Sequence, residues 1–266
     1  MRIATFVFLA LAGVSSVAAQ TQSRAQIELT ILGGAVSGHS LWQVGKQPVA
    51  VGSSGESDTL ALGREVTSSI VIGAGATYFV SPHLGVHAEI SYIGLPFDDS
   101  CTRVYVAPSD TAGQLRDACN DIQSRSGSGG AISLFAGATF RLAPHHALSP
   151  YLRGSVGVVS QPHSSVEMSG DYLTVLGPVS ILVIADPSPR HATPLIGLAL
   201  GLTTPVSKSG GYQFRLEARD MITSFERVIG PANSALVAPT ASRYYHHIGL
   251  TLGLDVVLEK ARGRRY

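Results

Sequence analysis

The 266-residue chain has a formal net charge of +1, only 14% charged residues and 29 glycines. Charge this sparse lies well under the roughly 25% of an ordinary soluble domain, and a near-neutral chain offers no basic field for a nucleic acid. No window approaches the roughly 18 consecutive apolar residues that mark a spanning helix, which excludes a helical membrane protein.

In chain order, the first segment reads as a signal peptide over residues 1–19. Arg2 is the positive start, Ile3 to Val14 the apolar stretch, and Val17-Ala18-Ala19 the small-residue cleavage pattern. Residues 20–258 follow without a linker or composition shift, so they read as one domain. Eight segments of period-two hydrophobicity recur in it: Gln26 to Gly38, Val66 to Val80, Leu84 to Ile93, Gly130 to Leu142, Ser149 to Ser160, Ala192 to Thr204, Gly211 to Thr223 and Arg243 to Leu258. Each suffices for a tilted strand crossing a bilayer, which takes about 9–11 residues.

The connections alternate in length. "SPH", "APHHAL" and "PVSKSG" are tight turns, whereas residues 39–65, 94–129, 161–191 and 224–242 are long and rich in Gly, Pro and Ser. All long loops therefore leave from one end, the asymmetry of membrane barrels with short inner turns and long external loops. In the second long loop, Cys101 and Cys119 read as a disulfide, the expected fate of an even pair in an exported chain. In the third, "DYLTVLGPVSILVIA", residues 171–185, reads as a hairpin extending the loop. The alternative, two further membrane strands for a total of ten, is disfavoured because Leu182 and Ile184 break the polar inner face.

One alternate set of strand positions is wholly uncharged, as in Ile70-x-Ile72, Leu198-x-Leu200-x-Leu202 and Leu250-x-Leu252-x-Leu254. The other set carries Glu28, Glu89, Glu217 and Asp255 against Arg141, Arg153, Arg215 and Arg219, with His87, several threonines and many glycines between them. Eight strands enclose too little space for so many Leu, Ile, Tyr and Phe side chains. The charged set is therefore the inside, and charges in a low-dielectric interior must pair. The expected fold is all-β: an eight-stranded antiparallel transmembrane β-barrel with these eight residues as an interior ion-pair network.

"SPHLGVHAEISY", "YQFRLEARDMIT" and the last strand, with Thr251-x-Gly253-x-x-Val256-x-Leu258, resemble the small outer-membrane β-barrels of the OmpA/OmpX-like kind over nearly the whole mature chain. The final strand lacks that family's terminal aromatic, and a basic tail, residues 259–266, follows it. The resemblance implies an up-and-down barrel in a Gram-negative outer membrane, contact with its lipid, insertion by the barrel assembly machinery, and an interior plugged by ion pairs; a monomer is the expected state. It does not imply one activity, because fold does not fix function.

The first expectation is accordingly a structural or surface-interaction role through the external loops, without catalysis. A narrow channel for ions or small hydrophobic molecules is the alternative, with Glu89 and Glu217 exchanging arginine partners. A lipid-modifying envelope hydrolase is the second, resting on "HSSVE", His163 to Glu167, where Ser165 would be the nucleophile; no motif surrounds it. His145-His146 falls in a turn and His246-His247 on a strand where neighbours point to opposite faces, so neither reads as a metal site. Walker A, HExxH, CxxC and GxSxG patterns are absent, and "GAGATY" is glycine packing within a strand. Nothing in the sequence calls for a cofactor.

Overall fold

The computed structural model describes residues 26–50, 57–106, 108, 113–124, 126–127, 129–144, 146–162, 164–174, 177–206 and 211–259; residues 1–19, expected as a signal peptide, and the basic tail beyond Glu259 lie outside them. Chain order is β1 (Gln26–Val36), β2 (His39–Ala50), β3 (Ser57–Val66), β4 (Ser69–Phe79), β5 (Leu84–Gly94), β6 (Phe97–Tyr105), α1 (Gln114–Ser124), β7 (Ser126–Gly127), β8 (Gly130–Arg141), β9 (Ser149–Ser160), β10 (Met168–Thr174), β11 (Gly177–Ile184), β12 (Ala192–Pro205), β13 (Tyr212–Val228) and β14 (Thr240–Glu259).

Eight strands close into a barrel in the order β1-β14-β13-β12-β9-β8-β5-β4, with β4 returning to β1. All neighbours are antiparallel, so closure leaves no unpaired edge. These are the eight strands expected from period-two patterning. The register keeps like faces together: Ile31 lies opposite Leu254, and Leu254 opposite Phe214. The uncharged set faces out, with Ile72, Leu198, Leu252 and Ile248 between 53% and 66% exposed, whereas Glu28, Glu217 and Asp255 are at most 1% exposed. On β14 the outward apolar run spans Ile248 to Leu258, after which Tyr244 and His246 follow outward. An exposed apolar belt of this height matches the lipid-facing band of a membrane barrel.

Over their described residues the first two long connections, expected as polar loops, are instead folded, and the third carries the expected hairpin. β2, β3, β6 and β7 form a four-stranded sheet, β10 and β11 a hairpin. The segment 171–185 is thus an external hairpin and not a pair of membrane strands. Helix α1 was not expected, yet Leu115, Ala118, Cys119 and Ile122 form one buried stripe at helical spacing, and Asp117 suits its first turn. It packs on β6 and β10; a Cβ at Gly170 of β10 would come 2.6 Å from the Ala118 carbonyl oxygen, so only glycine permits this approach. Cys101 of β6 and Cys119 of α1 are disulfide-bonded, with Cα atoms 5.4 Å apart.

The two longest strands also exceed expectation. β13 runs on to Val228 and β14 begins at Thr240, beyond the outward apolar run at both ends of the fourth connection, because Phe225, Val228 and Tyr245 are buried against the cap. One apolar cluster therefore runs from the barrel mouth, through Val71, Phe135, Leu195 and Met221, into the cap at Trp42, Leu60, Ile122 and Ile184.

Candidate functional site in the barrel lumen

Period-two alternation sends every second residue of each barrel strand inward, and six strands supply the charged ones. Glu28 comes from β1, Glu89 from β5, Arg141 from β8, Arg153 from β9, Arg215, Glu217 and Arg219 from β13, and Asp255 from β14. All eight are buried. They lie toward the short-turn half of the barrel: Glu28 and Arg141 sit at the ends of their strands, and the others climb from there.

The geometry brings all eight together. Glu28 bonds Arg141, whose guanidinium also lies 3.7 Å from the centre of the Phe79 ring. Arg215 grips Asp255 with three contacts of 2.9 to 3.1 Å, and stands 3.8 Å from Glu28 and 3.9 Å from Glu217. Arg219 reaches Glu89 at 2.7 Å and Glu217 at 2.6 Å, and Arg153 lies 3.2 Å and 3.4 Å from the same two acids. Each acid meets at least two arginines or one held by several bonds, and the formal charges cancel. Such an array is tolerable in a low-dielectric interior only because it is neutral and hydrogen-bonded.

Two inward residues complete it that charge patterning alone does not single out. The Tyr151 hydroxyl donates to Glu217 at 2.6 Å, and its ring lies 5.1 Å from the Arg215 guanidinium. Tyr151 shares the inward parity of Arg153, so its direction was legible, though its partner was not. The ring needs Gly201 beneath it: a Cβ there would fall 2.2 Å from its atoms. Thr30 donates to Asp255 at 2.7 Å. Among the inward glycines, Gly249 and Gly253 lie against Arg219 and Arg215, whereas Gly137 and Gly157 abut the backbone of the next strand.

Above the ions the lumen turns mainly apolar, with only hydroxyl pairs between the apolar side chains, Ser91 with Ser133 at 2.7 Å and Thr193 with Thr223 at 3.0 Å. Phe135, Val159, Leu195 and Met221 fill it and merge with the cap core. Between the two layers a cavity of about 20 Å³ touches His87, Glu89, Phe135, Arg153 and Arg219, among others; that is room for about one water. Chemically the arrangement holds charge in place.

Elsewhere, His246 and His247 do face opposite ways: His246 is exposed and 2.6 Å from Asp220, while His247 is 3% exposed. His146 lies in the short turn after β8, and His145 lies outside the described residues. Of the "HSSVE" residues, Ser165 and Glu167 are described and differ in setting. Ser165 is buried and its hydroxyl donates to the Glu226 carbonyl oxygen at 2.8 Å; Glu167 is exposed, and His163 lies outside the described residues. Among the described residues no group of three or more His, Cys, Asp or Glu side chains is placed to hold a metal.

No protein-family model and no curated protein matches the chain. Among solved structures, the outer membrane protein OprG of Pseudomonas aeruginosa aligns over 90% of this chain and 98% of its own at 10% identity, with a TM-score of 0.51. Neisserial surface protein A aligns over 87% of this chain and 96% of its own at 12% identity, with a TM-score of 0.42. The outer membrane protease OmpT of Escherichia coli aligns over 91% and 99% at 8% identity, with a TM-score of 0.34. The fold is that of the small outer-membrane β-barrels.

Proposed function

We propose that this chain, with the fold of the small outer-membrane β-barrels, sits in an outer membrane as a closed monomeric barrel and works through its external cap, in a structural or surface-contact role. The observation that carries the reading is the neutral set of eight buried charges spanning the lumen, sealed above by Phe135, Leu195 and Met221. A conducting path would have to hydrate or separate these pairs, and breaking even one buried pair costs about 3–5 kcal/mol. In this reading the short turns face the periplasm, the belt from Ile248 to Leu258 and its counterparts meets lipid, and the assembly machinery reads the end of β14.

Planar-bilayer recording of the refolded protein tests the reading. A closed barrel gives no steady conductance. A steady pore whose conductance Glu217→Ala alters would make the chain a narrow channel instead, and hydrolysis of phospholipid or lipid A abolished by Ser165→Ala would make it an envelope hydrolase.

A further inference from the structure

At the junction of barrel and cap lies a pair of histidines that the luminal network does not use. After the Ser37 N–H donates to the Ile248 carbonyl oxygen at 2.8 Å, the chain leaves the barrel, and His39 opens the cap strand β2. Its ring stacks on Tyr245 with centroids 4.6 Å apart and meets His247 edge-on, also at 4.6 Å. Phe225 closes the group, 5.7 Å from His247. Tyr245 fastens β14 to β2 by donating its hydroxyl to the Leu41 carbonyl oxygen at 2.8 Å.

None of the four ring nitrogens of His39 and His247 has a hydrogen-bond partner among the described residues, although all four are sealed from solvent. Buried polar groups left unpaired are rare and costly, which sets this pair apart from an ordinary core contact. The charged groups around it make matters worse for a proton. Arg243, whose guanidinium lies 5.6 Å from the Tyr245 ring, and Arg227 are both cationic. The nearby acids are engaged elsewhere, Asp220 with His246 at 2.6 Å and Glu226 with Arg190 at 3.1 Å. From β3, the register partner of His39 is the apolar Val66.

We propose that His39 and His247 form an acid-released latch: as neutral rings they hold β2 on the barrel mouth, and protonation frees the cap from it. A proton on either ring would place a cation in an aromatic pocket with no acceptor, beside a second imidazole and two arginines. Burial, and then Arg243, accordingly hold the His39 pKa below its ordinary value. Because the closed state binds protons less readily than the open one, the latch is intact at neutral pH and loosens as pH falls below about 6.5. While the closed rings stay unprotonated, the closed-to-open ratio falls about tenfold per pH unit for each histidine.

The single tryptophan, Trp42, reports on the latch directly, being three residues along β2, 4% exposed, and hydrogen-bonded through Nε1 to the Ser165 carbonyl oxygen at 2.8 Å. Take the full chain in lipid vesicles from about pH 7.5 to about pH 5, the range in which histidine titrates. Trp42 emission should shift to the red and its acrylamide quenching rise, reversibly, with the unboiled gel mobility of the barrel unchanged. His39→Phe/His247→Phe should abolish the transition, and His146→Gln, at the other end of the barrel, should keep it. Unmoved Trp42 emission, or the same transition in the double variant, would overturn the proposal. Should the double variant not fold, NMR of the wild-type imidazoles decides. Titration of both rings with the Trp42 transition supports the latch, and titration of either at its ordinary pKa while Trp42 stays still refutes it.

Discussion

Replacing Glu217 by Ala should destabilise the barrel by about 3–5 kcal/mol. The carboxylate is 1% exposed and receives two short hydrogen bonds, from Tyr151 and Arg219, both 2.6 Å; Arg153 and Arg215 stand 3.4 Å and 3.9 Å away. Charge-assisted bonds contribute about 1.5–3 kcal/mol each, and truncation also leaves four arginines facing three acids in a closed space. Glu217→Gln keeps the volume and an acceptor for Tyr151, so it should cost less, about 2 kcal/mol. The sharper test is Arg219→Ala on top of Glu217→Ala. Neutrality is then restored, and the double variant should be more stable than the sum of single losses by at least about 1 kcal/mol. Urea unfolding of protein inserted in lipid vesicles, followed by unboiled gel mobility, gives these values. A loss under about 0.5 kcal/mol for Glu217→Ala, or strict additivity, would refute the argument that the interior is held by mutual neutralisation.

Gly201→Ala should overpack the Tyr151 ring and cost about 1–3 kcal/mol in the same assay, whereas Tyr151→Phe, losing only the hydroxyl, should cost about 1–2 kcal/mol. Opening the Cys101–Cys119 bridge, which closes a sequence separation of 18, should withdraw about 3 kcal/mol on the loop-entropy model. Protease should then cut the cap under reducing conditions while the barrel keeps its heat-modifiable mobility; loss of both together would show that the cap is no separate unit. Leu252→Arg, on the outward belt, should cost about 2–4 kcal/mol of insertion stability if that belt meets the membrane core, and little in a soluble setting.

The barrel was legible because its two environments impose a strict alternation that survives in every spanning strand; even Tyr151 and Phe135 declare their direction by parity. Partners across the lumen were not legible, since which arginine meets which acid depends on strand tilt and side-chain reach, not on sequence distance. The sheet of the cap escaped notice for a different reason. Its strands β2, β3 and β6 pair across long insertions and sit among Gly, Ser and Asp, so composition reads as loop while the burial of Leu60, Leu62 and Cys101 comes from elements far along the chain. The hairpin over 171–185 and the Cys101–Cys119 bridge were read from the sequence, and helix α1 left a trace too, the spacing of Leu115, Ala118, Cys119 and Ile122. The meeting of His39 with His247 depends on closure of β1 against β14, which pairs opposite ends of the domain.

The most direct measurement is nitroxide accessibility at Leu216→Cys and Leu252→Cys, compared with Arg215→Cys, in lipid vesicles. Residues 216 and 252 should collide freely with dissolved oxygen and hardly at all with a water-soluble nickel chelate, while a label at 215 should be immobilised and shielded from both. Nickel-accessible labels at 216 and 252, or a label at 215 exposed to bulk water, would contradict the account.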